Sequence, residues 1–260
     1  MPRNPQYQKV HGIILSRKPL READFLLTVY TRERGKIRVL ARGVRRGNAK
    51  LAGRLQQLYN SEIYLAGSGI WPVVTSASII DKYPRIRSSL PALAVSFYAA
   101  ELTHKLTPDG EENPRVYDLL NRFFIEVNKH HKRLEFSEGD KTWPPVLEKF
   151  RLDLLRIIGH GVTTRFCAHC GLKIPAGRDV AFSCFAGGIV HGECAKFFPD
   201  TKTISSLTSG QLAILDQQAL EDVSDLSVGE EGHKALSSFV LFLLERDVQS
   251  EKFLEKVREE

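Results

Sequence analysis

No apolar run in this 260-residue sequence approaches the roughly 20 residues that cross a bilayer, so no membrane-spanning helix is expected. The opening residues MPRNPQYQKV hold no apolar core of a secretory signal, and a cytoplasmic protein is expected. The segment GVRRGNAK lacks the GxxxxGK[ST] spacing of a phosphate loop, which argues against ATP hydrolysis. A G-x-S-x-G elbow is missing, as is a paired acidic signature for nuclease metals. Internal repeats and low-complexity segments are also absent. These absences turn the reading from catalysis towards binding, and the protein is expected not to be an enzyme.

Acidic residues are scarce where basic ones are dense. Residues 1–60 hold 14 Lys/Arg against 3 Asp/Glu, whereas residues 201–260 hold 6 against 12. A basic amino-terminal part implies a polyanionic partner there. The acidic carboxy-terminal end reads as a solvated helical face or a surface for a protein partner.

The basic density peaks in RGKIRVLARGVRRGNAKLAGR, residues 34–54. Residues two apart on a strand share a face. Ile37, Val39 and Ala41 therefore point to a core, while Arg34, Lys36, Arg38 and Arg42 line the other side. A loop with Arg45, Arg46 and Lys50 follows, and Arg54 lies beyond. These eight cations are the candidate nucleic-acid-binding residues. A charged strand face also serves solubility.

Alternation predicts strands over residues 10–15, 24–30, 34–42, 58–66 and 70–80, the first bent or bulged at Gly12. Five short strands in about 75 residues fit an OB barrel, with an SH3-like barrel as the competitor. Trp71, in phase with Val73, Ala77 and Ile79, reads as core. Tyr64, in phase with Glu62 and Asn60, is the better exposed candidate for stacking on a base.

From residue 81 the spacing turns helical. Helices are predicted after Pro91, after Asn113-Pro114 and after Pro144-Pro145, then over 206–220 and 232–257, with a polar connecting loop at 130–141. The expected class is α+β and multidomain. A five-stranded OB-type barrel over 1–80 precedes a helical domain over 81–162 and 197–260, into which residues 163–196 are inserted.

All four cysteines fall in that insertion, and such clustering reads as metal binding before disulfides. Cys167-x2-Cys170 followed by Cys184 and Cys194 fits a closed tetrahedral zinc knuckle of four thiolates that supports the fold. Cys184 and Cys194 depart from the Cys-x2-Cys spacing, and His169 and His191 stand open as replacements for one thiol. His191-Gly192-Glu193 spells the H-x-E of nucleobase deaminases. Here Cys167-x2-Cys170 precedes it, Phe166 stands where a proline belongs, and four thiols would leave no position for water, so a deaminase is not expected.

The order of parts resembles the RecO family of bacterial DNA repair proteins over essentially the whole chain. The resemblance is most specific in GIILSRKPLREADFLLTVYTRERGKIRVLARGVRR, with its R-x-x-D-F and T-x-x-x-G-K-I steps. The stretches FCAHCG and SCFAGGIVHGEC resemble the zinc-bearing branch. The resemblance implies a non-enzymatic recombination mediator of the bacterial cytoplasm, associated with the nucleoid. It would bind single- and double-stranded DNA, anneal complementary strands, and bind RecR. It would also contact single-strand-binding protein and help load RecA at gaps. The tail of single-strand-binding protein is acidic and apolar, which makes Lys149 and Arg151 beside Phe150 candidates for its pocket. A general RNA- or ribosome-associated binder would keep the same basic barrel.

Overall fold

A computed structural model describes residues 7–20, 22–46, 51–67, 70–134, 142–245 and 248–259. The chain forms two compact units, residues 1–128 and 129–260.

In the first unit, β1 (Tyr7–Leu20), β2 (Asp24–Thr31) and β3 (Gly35–Ala41) form an antiparallel meander. Strands β4 (Asn60–Ala66) and β5 (Val73–Asp81) pair with each other, and β4 returns to β1. The order β1-β2-β3-β5-β4 closes a barrel through a thin seam, a single parallel pairing of Leu40 with Val73. The arrangement is OB-like and not a strict cylinder. Alternation places Val10, Ile14, Leu27, Val29, Val39 and Ile63 in one core. The first strand is longer than expected, and Gly12 is explained by packing. A Cβ there would fall 2.4 Å from Val29 Cγ1. The register shift lies just beyond, between Ile14 and Ser16.

A 3-10 turn at Pro84–Ser88 leads into α1 (Leu90–Leu106), whose start is capped by Ser89 accepting the Ala92 N–H. Helix α2 (Pro114–Lys129) buries Leu119, Leu120, Phe123 and Phe124, which recur at helical spacing on one side. Up to residue 128 these helices belong with the barrel. The first compact unit thus runs past residue 80, where the change of pattern suggested a boundary.

The second unit opens with a 3-10 turn at His131–Leu134. Strand β6 (Thr142–Trp143) and α3 (Pro145–Ile157) follow. Next come β7 (Val180–Ser183), β8 (Gly188–Val190), the short α4 (Gly192–Ala195) and β9 (Lys202–Ile204), in sheet order β8-β7-β9, so the small sheet reaches beyond residue 196. Helix α5 (Ser206–Gln217), strand β10 (Val228–Gly229), α6 (Glu230–Leu244) and α7 (Gln249–Glu259) complete the unit, and β10 pairs with β6. The expected single helix over 232–257 is two helices. Glu245 takes a left-handed conformation at the end of α6, with φ of 51°.

Helix α3 corrects the expected tail pocket. Lys149, Phe150 and Arg151 are all buried, so they offer no surface for a partner peptide. Lys149 Nζ donates to Asp153 Oδ1 at 2.7 Å and to the Asp216 carbonyl at 3.2 Å. Arg151 lies between Glu148, at 3.0 Å, and Glu251 of α7, at 3.2 Å. Burial opposes ionisation of Glu148, but Arg151 and His233 hold its carboxyl below the usual range.

Candidate nucleic-acid face and metal centre

The eight predicted cations do not form one uniform array. Lys36 is buried, which corrects its assignment to the exposed face. Its ammonium donates to the carbonyls of His104 and Thr107, each at 2.5 Å, and lies 3.1 Å from Asp109. A cation at the carboxy-terminal end of α1 satisfies carbonyls that the helix leaves open. The cause lies next door. Gly35 has φ of 60°, and a Cβ there would lie 1.7 Å from the Glu111 carbonyl oxygen. The segment 109–111 therefore rides directly over the start of β3, with Gly110 N–H bonded to the Lys36 carbonyl at 2.7 Å.

Arg34, Arg38, Arg42, Arg45, Arg46 and Arg54 are exposed. Arg34 donates to Gln8 at 2.5 Å, and Arg54 to the Ala77 carbonyl at 2.9 Å. Arg38 meets Asp109 at 3.1 Å, both side chains about half exposed. Arg45 lies over the Phe25 ring, 5.8 Å from its centre. Among the described residues Arg42 and Arg46 make no ion pair, so their charge faces solvent. Lys50 lies outside the described residues.

Of the two aromatic assignments, that of Tyr64 to the surface holds and that of Trp71 to the core does not. Tyr64 is exposed, but its hydroxyl donates to Glu62 at 2.9 Å, and Glu62 also binds Lys9. His11 and Glu33 pair alongside at 2.6 Å, so this side of the barrel is no cationic groove. Trp71, expected in the core, is 36% exposed and lies before β5, outside the strand alternation that assigned it inward. With Arg34, Arg38, Ile70, Pro72 and Asp109 it lines a cleft of about 530 Å³. In OB folds the strand 2–3 face and the loops after strands 1 and 4 commonly hold oligonucleotides, and this cleft joins β3 to the β4–β5 loop.

In the second unit, Cys167, Cys170, His191 and Cys194 bring their ligand atoms within 4.8 Å of one another. This corrects the expected four-thiol set, because His191 takes the place of Cys184. The loop after Cys167 turns back on itself, with Gly171 N–H on the Cys167 carbonyl at 2.9 Å. His191 caps α4, and Cys194 follows on its first turn, Cys194 N–H bonding the His191 carbonyl at 2.9 Å. Cys170 Sγ lies 3.4 Å from His191 Nδ1, and the His191 N–H points at Cys167 Sγ from 3.4 Å.

Burial opposes ionisation of Cys167, but backbone N–H groups of Cys170, His191 and His169 pull its thiol down to about 6. Cys194 is pushed up to about 11 by desolvation and by the neighbouring Cys167 and Cys170. Thiols so close cannot all ionise without a cation between them. His169 instead stacks on Phe197, with ring centres 4.6 Å apart. Cys184 sits just after β7, its N–H donating to Asp200 at 2.6 Å, and desolvation with the Asp200 charge raises its pKa. A regular spacing carried the signal for this cluster: His191-x2-Cys194 repeats the interval of Cys167-x2-Cys170.

Two family models cover nearly the whole chain. "Recombination protein O N terminal" matches residues 6–83, and "Recombination protein O C terminal" matches residues 87–255. Curated relatives agree in name. A "DNA repair protein RecO" of Desulforudis audaxviator is 30% identical over 258 residues, covering 97% of each chain. One of Roseiflexus is 29% identical over 96% of this chain and 86% of its own. One of Geobacter sulfurreducens is 31% identical over 70% of each.

Proposed function

The chain belongs to the recombination protein O family, whose relatives are named DNA repair proteins, and we propose that it serves DNA repair as a mediator without catalysis. On this reading it binds single- and double-stranded DNA and anneals complementary strands. With RecR it helps load RecA on gaps covered by single-strand-binding protein. The observation that carries the reading is the exposed guanidinium set Arg34, Arg38, Arg42, Arg45, Arg46 and Arg54, on β3 and the segments that flank it. Such groups neutralise phosphates without reading base edges, so binding is largely independent of sequence. Neutralising two backbones at once lowers their mutual repulsion, as annealing requires.

The three thiols and one imidazole suit zinc, which takes sets of three cysteines and one histidine in tetrahedral structural sites. We assign zinc there a supporting role: four protein ligands leave no position for an activated water.

Titrating a fluorescent single-stranded oligonucleotide with the full chain at rising salt tests the reading. Four to six phosphate contacts give a log–log slope of roughly −3 to −4. A flat slope, or no binding at low salt, would overturn it. Stronger binding of RNA than of DNA of the same sequence would favour an RNA-associated role instead.

A further inference from the structure

Resting on the reading of the barrel as a DNA binder, the geometry points to a site for a single unstacked nucleotide in the cleft between β3 and the β4–β5 loop. The base lies on Trp71, and the adjoining phosphate bridges Arg34 and Arg38. The cleft, about 530 Å³, falls in the size range of small-ligand sites. Trp71 and Ile70 stand 36% and 93% exposed beside two guanidinium groups, so apolar surface and positive charge meet in one place. Base and phosphate offer the complementary pair, since every base has a face to stack and every link an anion.

Trp71 is also held in place. The next residue, Pro72, accepts the Leu40 N–H at 2.9 Å, which fixes the loop to β3 at the barrel seam. A platform fixed beforehand loses little freedom when a base settles on it.

Asp109 makes the site exchangeable. Its carboxylate meets both Arg38 and Lys36 at 3.1 Å. Arg38 and Asp109 are half exposed, and an ion pair in that setting is weak. When a phosphate draws Arg38 away, Asp109 keeps its buried partner Lys36, so no carboxylate is stranded. A duplex cannot use this site without flipping a base out of its stack. The cleft therefore favours single strands, while the other exposed arginines serve both forms.

Tryptophan fluorescence of the full chain reads the site directly. The chain has 2 tryptophans, and the other, Trp143, is 2% exposed. Single-stranded oligothymidylate should quench Trp71, whereas an abasic strand of equal length should bind through its phosphates with little quenching. Trp71→Ala should weaken single-strand binding about 5- to 100-fold, with duplex affinity changed less than about twofold. Trp71→Phe, which keeps an aromatic face, should restore most of the loss. Equal losses for strand and duplex, no loss for strand, or strand binding without quenching would each overturn the nucleotide site while leaving the phosphate-binding reading intact. Failure of the wild-type chain to bind strand or duplex at low salt would overturn both.

Discussion

Lys36 and Arg38 stand two positions apart on one strand face, yet one is buried and the other is half exposed. The difference comes from the end of α1 and the segment after it: the His104 and Thr107 carbonyls and Asp109 enclose the Lys36 ammonium, whereas Arg38 meets Asp109 at the surface. Lys36 is therefore a structural cation, and Lys36→Met leaves the His104 and Thr107 carbonyls without this donor and Asp109 with Arg38 alone. This should cost about 1–3 kcal/mol of stability, read as a lower denaturant midpoint, with DNA affinity of the folded protein preserved. Arg42 and Arg46 should behave in the opposite way. Replacing both by alanine should change stability by less than about 0.5 kcal/mol. It should also reduce the salt slope of DNA binding by about 1 to 2. Loss of binding by a well-folded Lys36→Met protein would return that residue to the DNA face.

At the scale of elements, the proposed zinc site joins the Cys167-x2-Cys170 knuckle to the first turn of α4. His191→Ala should abolish stoichiometric zinc and lower the melting temperature, whereas Cys184→Ser should retain the metal. The reverse pattern would restore the four-thiol site. Helix α7 is held through Arg258, whose guanidinium lies 4.4 Å from the Trp143 ring centre and donates to Glu230 at 2.5 Å. The Trp143 indole N–H donates to the same carboxylate at 2.8 Å. Partial burial opposes ionisation of Glu230, but the Trp143 and Arg258 bonds hold it at about 2. A depressed carboxylate contributes stability that is complete above its ordinary value near 4.5 and is lost as pH falls towards 2. Trp143 emission should therefore shift over that window, and Glu230→Gln should flatten the change. An identical acid profile in the variant would show that Glu230 does not hold α7.

On the whole-molecule scale, the candidate DNA face and the candidate metal site fall in different units. The six exposed arginines on and around β3 lie in the unit of residues 1–128, and the three-cysteine, one-histidine cluster lies in that of residues 129–260. Removing the metal with a strong chelator should lower the melting transition of the chain, while DNA affinity at fixed salt changes by less than about twofold. A parallel loss of DNA binding would couple the two units. The acidic end of the chain is less available to partners than its composition suggests. Glu231 accepts from Ser205 at 2.6 Å, Glu251 accepts from Ser237 at 2.6 Å and pairs with Arg151, and Asp216 binds Arg156. Part of that negative charge closes the fold of the second unit.

The sequence by itself determined the five strands, the change to helices near residue 81, the basic stretch on β3 and the Cys167-x2-Cys170 knuckle. Each rests on a short period or spacing within one segment. It also carried the family resemblance over the whole chain. Only the tertiary structure decided which cations face solvent, which aromatic lies in a cleft and which side chain joins Cys167, Cys170 and Cys194 in one cluster. Those choices depend on segments far apart in the chain. Lys36 is removed from solvent by carbonyls 68 and 71 residues away. His191 reaches the knuckle across 21 residues from Cys170, while the intervening Cys184 is drawn off by Asp200. Strand alternation names the face on which a side chain lies; what covers that face is settled by packing.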